Sequence, residues 1–413
     1  MRIDIIKSRI KIMAPEDAGI ESFMELRCNI DGAIFAEQRM NLLHQLSQKI
    51  LTHNLLRGDS GCVALAFWLR KSNLQKMKDV ALARYASEDN MILVPVGRVF
   101  HIAPTNVDTM FVYSWALSFY IGNRNVIRLS ARLSSVVREL MQLINELMNT
   151  SELLRSENAF VSYERDDATN QMFSEWCSHR VVWGGDETVT ALRNVRLNPH
   201  ASERSFASKY SWSMIDVSEY AKADEAAVQE LAEKYYNDIF AFDQMACSSP
   251  QVIFWRGESA KVQEISAQFD QRLRKMIAQK KREDLMTHAV KRRNHAFSLA
   301  VQGGVIFDPV LPAMTSVFVD RVENISRETC GAGFIQHAAV MEWEELAVFC
   351  QDKDQTVTHY GIEESLLRKL AHLLGARGVD RIVPVGQALD FQVNWDGFSL
   401  IQDYIRTVEV RKS

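Results

Sequence analysis

The pattern of hydrophobic and polar positions changes near residue 96. Before it, apolar residues recur at helical spacing from Phe35 to Thr52, and an apolar pattern continues from Cys62 to Leu69. After it, short apolar runs alternate with longer amphipathic segments, which indicates repeated βαβ units and an α/β fold with a mainly parallel sheet. The predicted strands are Arg98–Ile102, Asn125–Leu129, Ala159–Ser162, Arg180–Trp183 and Trp212–Ile215. The predicted helices are Thr105–Ile121, Ser134–Asn149, Ala168–Cys177 and Glu187–Arg196.

The second half of the chain follows the polar segment Val217–Glu230 and mixes both kinds of element. Its predicted strands are Gln251–Trp255, Thr315–Asp320 and Gln336–Val340. Its predicted helices are Val228–Tyr236, Ala260–Lys281, Glu342–Gln351 and Ile362–Leu374. The stretch Arg272–Arg293 is rich in Lys and Arg, but Glu283 and Asp284 interrupt it. Because no aromatic residues interleave with the charges, we expect a solvent-exposed helix face rather than a nucleic-acid-binding patch.

The composition is that of an ordinary soluble protein. The 413 residues, 47% hydrophobic and 24% charged, predict two or three domains at about 150 residues each. A net charge of −4 gives no overall attraction to nucleic acid or to an anionic membrane. The apolar stretch Met110–Ile121 is shorter than the roughly 20 residues that a membrane-spanning helix needs. Asp4 and Lys7 stand where a secretory signal would be apolar, so we expect a cytoplasmic enzyme or binding protein.

The cysteines and histidines predict neither a metal site nor a disulfide framework. No pair of cysteines has Cys-x-x-Cys spacing, and no His-Glu-x-x-His motif is present. Scattered thiols in a cytoplasmic protein are usually small core residues. The six cysteines are Cys28, Cys62, Cys177, Cys247, Cys330 and Cys350.

Two predicted strand ends carry candidate binding groups, because ligands of open parallel sheets bind at strand ends. The first strand ends in a Pro-Thr-Asn turn, where Asn106 is either a ligand-facing residue or a simple helix N-cap. Another strand ends in Gly184-Gly185 before a helix. Such a pair permits positive φ and close backbone approach to a phosphate, although a tight structural turn explains it equally well.

A third segment, Phe240–Gln251, contains the best candidate for a nucleophile. Cys247 is flanked by small residues and followed by Pro250, which predicts an exposed loop entering a strand. Small neighbours leave room for a substrate carbonyl. A purely structural role for this cysteine stays open at this point.

These segments together resemble the aldehyde dehydrogenase superfamily, and most closely its long-chain fatty acyl-CoA reductase branch, the LuxC-like fatty acid reductases of bacterial luminescence. The resemblance implies an aldehyde dehydrogenase-like α/β fold, with a Rossmann-like cofactor domain and a second α/β catalytic domain. The matching stretches, in family order, are Gly97–Arg132 (GRVFHIAPTNVDTMFVYSWALSFYIGNRNVIRLSAR), Val181–Thr188 (VVWGGDET), Asn237–Gln251 (NDIFAFDQMACSSPQ) and Arg381–Tyr404 (RIVPVGQALDFQVNWDGFSLIQDY).

The resemblance implies a covalent reductase mechanism. The family's acylated nucleophile stands at the position of Cys247, and its oxyanion-supporting asparagine at that of Asn106. The implied reaction is NADPH-dependent reduction of a long-chain fatty acyl-CoA, or another acyl thioester, to the fatty aldehyde through an acyl-cysteine intermediate.

The implied cofactor-binding residues are Arg128, Ser130, Gly184, Gly185 and Glu328. Arg128 and Ser130 match positions near the adenosine ribose. The two glycines match the turn beside the pyrophosphate, and Glu328 resembles the glutamate that binds the nicotinamide ribose. A guanidinium at Arg128, with Arg132 nearby, suits a ribose 2′-phosphate and favours NADPH over NADH, although pairing of either arginine with a surface carboxylate would also explain it.

One departure from the family pattern separates the alternatives. Oxidising aldehyde dehydrogenases carry a glutamate that activates water to hydrolyse the thioester, but the corresponding stretch here, Ala207–Ser213, contains no acid, and Glu203 lies outside it. Without that base, hydrolysis of an acyl-enzyme should be slow. Reduction is therefore favoured over aldehyde oxidation, and the retained Cys247 and Asn106 argue against an inactive scaffold for an acyl-transfer partner.

The resemblance also implies an organisation in three parts. These are residues 1–215, an N-terminal helical region with the dinucleotide-binding domain; 216–385, the catalytic domain with Cys247; and 386–413, a segment returning to the cofactor and oligomerisation region. A homo-oligomer formed through a short β arm near Asp89–Val96 and an acyl-protein synthetase partner are expected on the same basis.

Overall fold

The computed structural model of the chain describes residues 10–16, 19–25, 34–85, 90–280, 282, 284–303, 305–307 and 313–411. The chain divides into two compact units, residues 1–207 with 391–413, and residues 208–390. The functional boundaries expected after residues 215 and 385 stay predictions.

The strands and helices are numbered here in chain order. The strands are β1 (Lys11–Ala14), β2 (Met91–Pro95), β3 (Arg98–Ile102), β4 (Arg124–Leu129), β5 (Asn158–Ser162), β6 (His179–Trp183), β7 (Ser202–Phe206), β8 (Tyr210–Asp216), β9 (Pro250–Arg256), β10 (Val305–Phe307), β11 (Thr315–Val319), β12 (Phe334–Val340), β13 (Asp354–Tyr360), β14 (Arg381–Pro384), β15 (Asn394–Trp395), β16 (Phe398–Ser399) and β17 (Ile405–Glu409). The helices are α1 (Ile20–Glu25), α2 (Glu37–Thr52), α3 (Ser60–Trp68), α4 (Lys71–Tyr85), α5 (Met110–Ile121), α6 (Ser135–Met148), α7 (Glu152–Glu157), α8 (Asp167–Trp176), α9 (Asp186–Arg193), α10 (Val217–Lys222), α11 (Glu225–Phe240), α12 (Ser259–Gln279), α13 (Met286–Gln302), α14 (Leu346–Phe349), α15 (Glu364–Gly375) and α16 (Leu400–Tyr404).

The first unit is built on a six-stranded sheet in the order β1-β5-β4-β3-β6-β7. Strand β1 is antiparallel to β5, and all other neighbours are parallel. From β3 the chain adds β4 and β5 on one side and then β6 and β7 on the other. The order therefore reverses between β3 and β6, and ligands of open α/β sheets bind at the carboxyl ends of strands beside such a reversal.

Every residue of helix α5 is buried, and its side chains are apolar or aromatic all round except for Ser114 and Ser118. It begins at Met110, later than the predicted start at Thr105, because the residues between form bends and a turn. Gly122 ends the helix with a left-handed φ of 105°, and the Pro95 side chain lies 3.2 Å from the place that a Cβ would take.

Buried polar side chains join this helix to the strands beside it. The Asn125 Oδ1 can only accept, so His101 donates through Nε2 (3.1 Å), and its Nδ1 accepts from the Ser114 hydroxyl (2.8 Å). Trp183 Nε1 donates to the same hydroxyl at 3.0 Å. Burial lowers the pKa of His101 to about 3 and that of His179 to about 4. Both rings are therefore neutral core residues.

The second unit contains a seven-stranded sheet in the order β10-β11-β12-β9-β8-β13-β14. Only β10 is antiparallel to its neighbour. Strands β8, β9 and β12 are almost entirely buried, since helices of this unit pack apolar side chains against the sheet. The amino-terminal ends of β8, β9, β12 and β13 consequently meet at one edge.

Two sequence-based expectations hold only in part in this unit. The predicted helix Glu342–Gln351 is a 3₁₀ turn, Trp343–Glu345, followed by the short helix α14, with a capping box between Glu342 and Glu345. The charged stretch Arg272–Arg293 is not solvent-exposed throughout, because Arg292 is 1% exposed and pairs with Asp284.

Strands β2 and β17 pair antiparallel as a separate two-stranded sheet in the first unit. This ribbon includes most of the expected oligomerisation arm, whose first residue, Asp89, lies outside the described residues. Its role in oligomerisation stays a prediction. None of the helices in the described ranges is long and apolar enough to cross a membrane.

The neutral buried histidines predict how stability depends on pH. Unfolded histidines take up a proton below about pH 6.5, whereas the folded chain keeps His101 and His179 neutral to much lower pH. The free energy of unfolding should therefore fall as the pH drops, by about 2 kcal/mol per histidine between about pH 6.5 and pH 5. Urea unfolding at both pH values should show a shallower loss in His179→Gln. The exposed control His200→Gln should match wild type, and an unchanged slope in His179→Gln would contradict this account.

Candidate active site

Asn106 lies in the loop after β3, at the carboxyl edge of the first sheet, and is exposed. The N-cap of α5 is Thr109, so the simple N-cap role left open by the sequence is wrong for Asn106. The neighbouring Asp108 accepts a hydrogen bond from Ser134 Oγ at 2.8 Å. This bond ties the Asn106 loop to the start of α6, beyond the end of β4.

Arg128 and Ser130 lie at the end of β4, on the same edge. The Arg128 guanidinium carbon is 4.7 Å from the centroid of the Tyr163 ring, and its buried Nε has no hydrogen-bond partner among the described residues. Ser130 Oγ accepts from the backbone N–H of Arg132 at 3.2 Å. A half-buried guanidinium held on an aromatic ring can receive an anionic or polar ligand.

The two glycines link β6 to α9, with Gly185 at the N-cap. Neither has the positive φ that the sequence allowed. A Cβ at Gly184 would lie 3.0 Å from Thr188 Cγ2, so a larger residue there would need a small shift of the Thr188 side chain. Asp186 and Glu187 occupy the first turn of α9, and their charges oppose the attraction that helix N–H groups exert on a phosphate.

The first sheet therefore brings five predicted residues to one edge. Ile102 of β3 pairs with Arg128 of β4 and with Val182 of β6, so the loops that follow these strands emerge side by side. The loops after β3 and β6 flank the reversal of strand order, where dinucleotides bind in doubly wound sheets.

Cys247 lies in the second unit, in the loop between α11 and β9, and is half-buried. The predicted loop entering a strand is confirmed, but it is not the exposed loop that was expected, because Ser248 and Ser249 are buried. Its backbone carbonyl accepts from Ser211 Oγ at 2.7 Å, and that hydroxyl accepts from the Thr356 N–H at 3.2 Å. Ser211 belongs to the stretch without an acid, and it anchors the loop through the backbone of Cys247.

The other described cysteines are poor nucleophiles at neutral pH. Burial raises the pKa of Cys330 to about 11 and those of Cys177 and Cys350 to about 12. Burial also raises the pKa of Cys62, and the carboxylate of Asp59 adds to the effect. Because the thiolate is the attacking species, these four thiols are unsuited to covalent catalysis.

Glu328 is exposed in the segment before β12, at the same amino-terminal edge as Cys247. Its N–H donates to Ser326 Oγ at 3.1 Å. The buried Gln336 holds Ser326 from both sides, with Nε2 donating to its carbonyl and Oε1 accepting its N–H, each at 2.9 Å. Ser326, two residues before Glu328, is thereby fixed to strand β12.

Glu203, the acid nearest to the altered family motif, has a structural role in the first unit. It lies on β7 and accepts from Arg180 Nε at 2.5 Å and from Ser205 Oγ at 2.9 Å. Arg180 is itself buried, so removing Glu203 would leave a buried charge unpaired. Glu203 therefore serves as a partner for Arg180.

A cavity of about 650 Å³ opens at the other edge of the second sheet, at the carboxyl ends of β8, β9, β13 and β14. It is remote from the edge that carries Cys247. Its lining includes Asp216, which accepts from Arg256 Nε at 2.7 Å, and Glu219, which pairs with Lys222. The Asp216 carboxylate is therefore already paired with Arg256, and the Glu219 carboxylate with Lys222.

A sequence model of the family described as acyl-CoA reductase (LuxC) matches residues 64–407, most of the chain. The chain belongs to the acyl-CoA reductase (LuxC) family.

Two relatives are named long-chain acyl-protein thioester reductase. The protein from Aliivibrio fischeri is 24% identical over 334 residues, covering 76% of this chain and 64% of the relative. That from Vibrio harveyi is 26% identical over 168 residues, covering 40% and 33%. The chain thus spans less than two thirds of the length of either relative.

Solved structures establish the fold of this LuxC family member. Aldehyde dehydrogenase 21 from Physcomitrella patens has a TM-score of 0.66 at 11% identity, covering 95% of this chain and 89% of that one. An oxidoreductase from Marinobacter aquaeolei has a TM-score of 0.69 at 12% identity, covering 95% and 90%. An indole-3-acetaldehyde dehydrogenase solved with NAD+ has a TM-score of 0.63 at 12% identity, covering 90% and 83%. The expected family and the aldehyde dehydrogenase-like α/β fold are both confirmed.

The loop position of Cys247, taken with the proposed role of this residue and the raised pKa of the four other described cysteines, predicts an order of alkylation. In a Cys28→Ser background, which removes the cysteine outside the described residues, iodoacetamide near neutral pH should modify Cys247 at least about tenfold faster than any other cysteine. Peptide mass spectrometry over time gives the rates, and Cys247→Ser is the matched control that should lose the fast phase. Faster labelling of Cys330 would contradict the assignment of Cys247 as the reactive thiol.

Proposed function

We propose that the chain reduces a long-chain fatty acyl thioester to the fatty aldehyde, with NADPH as reductant and Cys247 as the site of acyl attachment. The observation that supports this most strongly is the setting of Cys247 in a LuxC family chain. It is half-buried in the loop that enters β9, where Ser211 Oγ donates a hydrogen bond to its backbone carbonyl.

The proposed reaction proceeds by acyl transfer and then reduction. The Cys247 thiolate attacks the thioester carbonyl carbon, and the donor's C–S bond breaks, so that the donor leaves as a thiol after taking a proton. A reduced nicotinamide, when bound, would supply a hydride to the acyl carbon. The alkoxide thereby formed on Cys247 collapses with cleavage of its C–S bond, which releases the aldehyde and returns the Cys247 thiolate. The Asn106 amide and the Cys247 backbone N–H would stabilise the oxyanion, and one such donor contributes about 2.7–4 kcal/mol.

The first sheet fits a nicotinamide dinucleotide. Its strand order reverses beside the loops that carry Asn106 and Gly184, and the buried Arg128 Nε lacks a partner among the described residues. Arg128 and Ser130 would hold the adenosine ribose, and the glycine pair would lie by the pyrophosphate. Arg128 favours a 2′-phosphate and hence NADPH. Glu328 is proposed to bind the nicotinamide ribose.

The thioester donor is proposed to be acyl-CoA or an acyl-protein. The family description names acyl-CoA, whereas the two relatives are named for acyl-protein thioesters. Both donors present the same carbonyl and a thiol leaving group to Cys247. An acyl-protein synthetase partner, a homo-oligomer and a cytoplasmic location are proposed on the family resemblance.

Reduction rather than aldehyde oxidation is proposed because no acid stands in Ala207–Ser213. Glu203 is held by Arg180, so it does not replace the missing base. An acyl group on Cys247 would then persist until it is reduced.

The function is tested by mixing the purified chain with palmitoyl-CoA and NADPH and following nicotinamide absorbance and aldehyde formation. We expect equal amounts of NADPH consumed and aldehyde formed, no reaction with Cys247→Ala, and a loss of about 100- to 1,000-fold in kcat with Asn106→Ala. Aldehyde-dependent production of NADPH without thioester reduction would indicate an oxidising dehydrogenase. No turnover in either direction with palmitoyl-CoA or an acyl-protein donor would favour a scaffold and contradict the proposal.

The cofactor preference is tested at Arg128. Replacing it with Gln removes the charge that would meet a 2′-phosphate, so KM for NADPH should rise by about tenfold or more while KM for NADH changes little. The exposed Arg368 on α15 of the second unit, changed to Gln, is the control and should leave both values near wild type. Equal losses with both dinucleotides would show that Arg128 does not read the 2′-phosphate.

A further inference from the structure

The loop that presents Cys247 is tied to a second loop by one buried side chain. Gln244 is 2% exposed. Its Oε1 accepts from the N–H groups of Gly333 and Phe334, both at 3.0 Å. Its Nε2 donates to the carbonyls of Pro250 and Phe334, both at 2.8 Å. A glutamine side chain offers two donors and two acceptor positions, so its hydrogen-bonding capacity is fully used here.

Both loops hold an unfavourable backbone conformation. Asp243 and Gln244 have φ of 50° and 60°, and residues 331–333 are left-handed in succession, with Ala332 at 60°. A non-glycine residue in this region costs of order 1 kcal/mol and persists only when its surroundings enforce it. The Ala332 N–H donates to the Asp243 carbonyl at 2.7 Å, which joins the two strained segments directly. The Gln244 amide supplies most of the remaining hydrogen bonds between them.

The second loop is anchored independently on its far side. Arg292, buried in α13, donates through Nη1 to the Ala332 carbonyl at 2.8 Å and to Asp284 Oδ1 at 2.9 Å. Asp284 also accepts the Ala313 N–H at 2.9 Å. The turn at residues 331–333 is therefore a fixed support, and Gln244 transmits that support to the Cys247 loop.

The positions along the chain give this connection a consequence for catalysis. Gln244 precedes Cys247 by three residues, and Gly331 follows Glu328 by three residues. We infer that Gln244 is a positioning residue, whose buried amide fixes the Cys247 loop against the Gly331–Gly333 turn and so sets the nucleophile relative to Glu328. This inference deepens the proposed function and rests on it for the role of Glu328.

Two substitutions of Gln244 test the inference. Gln244→Met keeps the side-chain volume but removes all four hydrogen bonds, so kcat should fall at least about tenfold while KM for palmitoyl-CoA stays within about threefold. The rate of Cys247 alkylation should fall with it. Gln244→Glu keeps the accepting oxygen but replaces the donating nitrogen by a second oxygen, which then faces the Pro250 and Phe334 carbonyls. Because these oxygens repel an ionised carboxylate, the pKa of the new carboxyl should be raised. Because the protonated acid can donate, the kcat of Gln244→Glu relative to wild type should rise at least about fivefold from about pH 8 to pH 6.

The control is a core variant of the same unit that lies outside this loop system. Leu370→Ala, in α15, should lower the melting temperature yet leave kcat and the Cys247 alkylation rate near wild type at a temperature where the protein is folded. If Gln244→Met behaves like Leu370→Ala, Gln244 is merely structural and the inference is overturned. If Gln244→Met does not fold, the kcat of Gln244→Glu relative to wild type is compared at pH 8 and pH 6. The same relative kcat at both pH values overturns the inference. Slower Cys247 alkylation in Gln244→Met, together with a wild-type chain that reduces no thioester, would uphold positioning of the thiol while the proposed function fails.

Discussion

A fully bonded amide in the core of the second unit holds the candidate nucleophile in place. Gln244 joins a strained loop to a strained turn, and neither would keep its left-handed residues without such bonds. Cys247 sits between this amide and Pro250, where β9 begins, so its backbone is restrained from both directions. A reactive thiol can be half-exposed to solvent and still be held precisely enough for chemistry, because the rigidity resides in buried neighbours.

Parallel sheets explain why residues distant in sequence come together within each unit. In the first, the ends of β3, β4 and β6 carry Asn106, Arg128 and Gly184 to one edge because the strands share a direction and a register. In the second, the candidate residues Cys247 and Glu328 lie at the amino-terminal edge, where the loops before β9 and β12 meet. The candidate cofactor residues therefore lie at the carboxyl ends of the strands in the first sheet, and the candidate nucleophile lies at the amino-terminal ends in the second.

The sequence predicted most strands of the first sheet and the loop setting of Cys247, since continuous apolar runs and small turn residues are local signals. It missed β7, whose residues Ser202–Phe206 are mostly polar because this strand lies at the sheet edge. It also missed Gln244 and the burial of Arg292. A buried polar side chain looks like a surface residue in sequence, and only its partners, 90 and 40 positions away, reveal its role. Glu328 is a candidate through family resemblance alone, and no local pattern in the sequence points to it.

The central claim is that Cys247 carries the acyl group, and intact-protein and peptide mass spectrometry test it most directly. The purified chain is mixed with palmitoyl-CoA in the absence of any nicotinamide, quenched in acid and digested. The account predicts a stoichiometric mass increase of one palmitoyl group on the peptide that contains Cys247, lost again when NADPH is added before quenching. An acyl group found only on another residue would contradict the claim. So would the absence of any covalent adduct in a preparation that consumes NADPH when the cofactor is supplied.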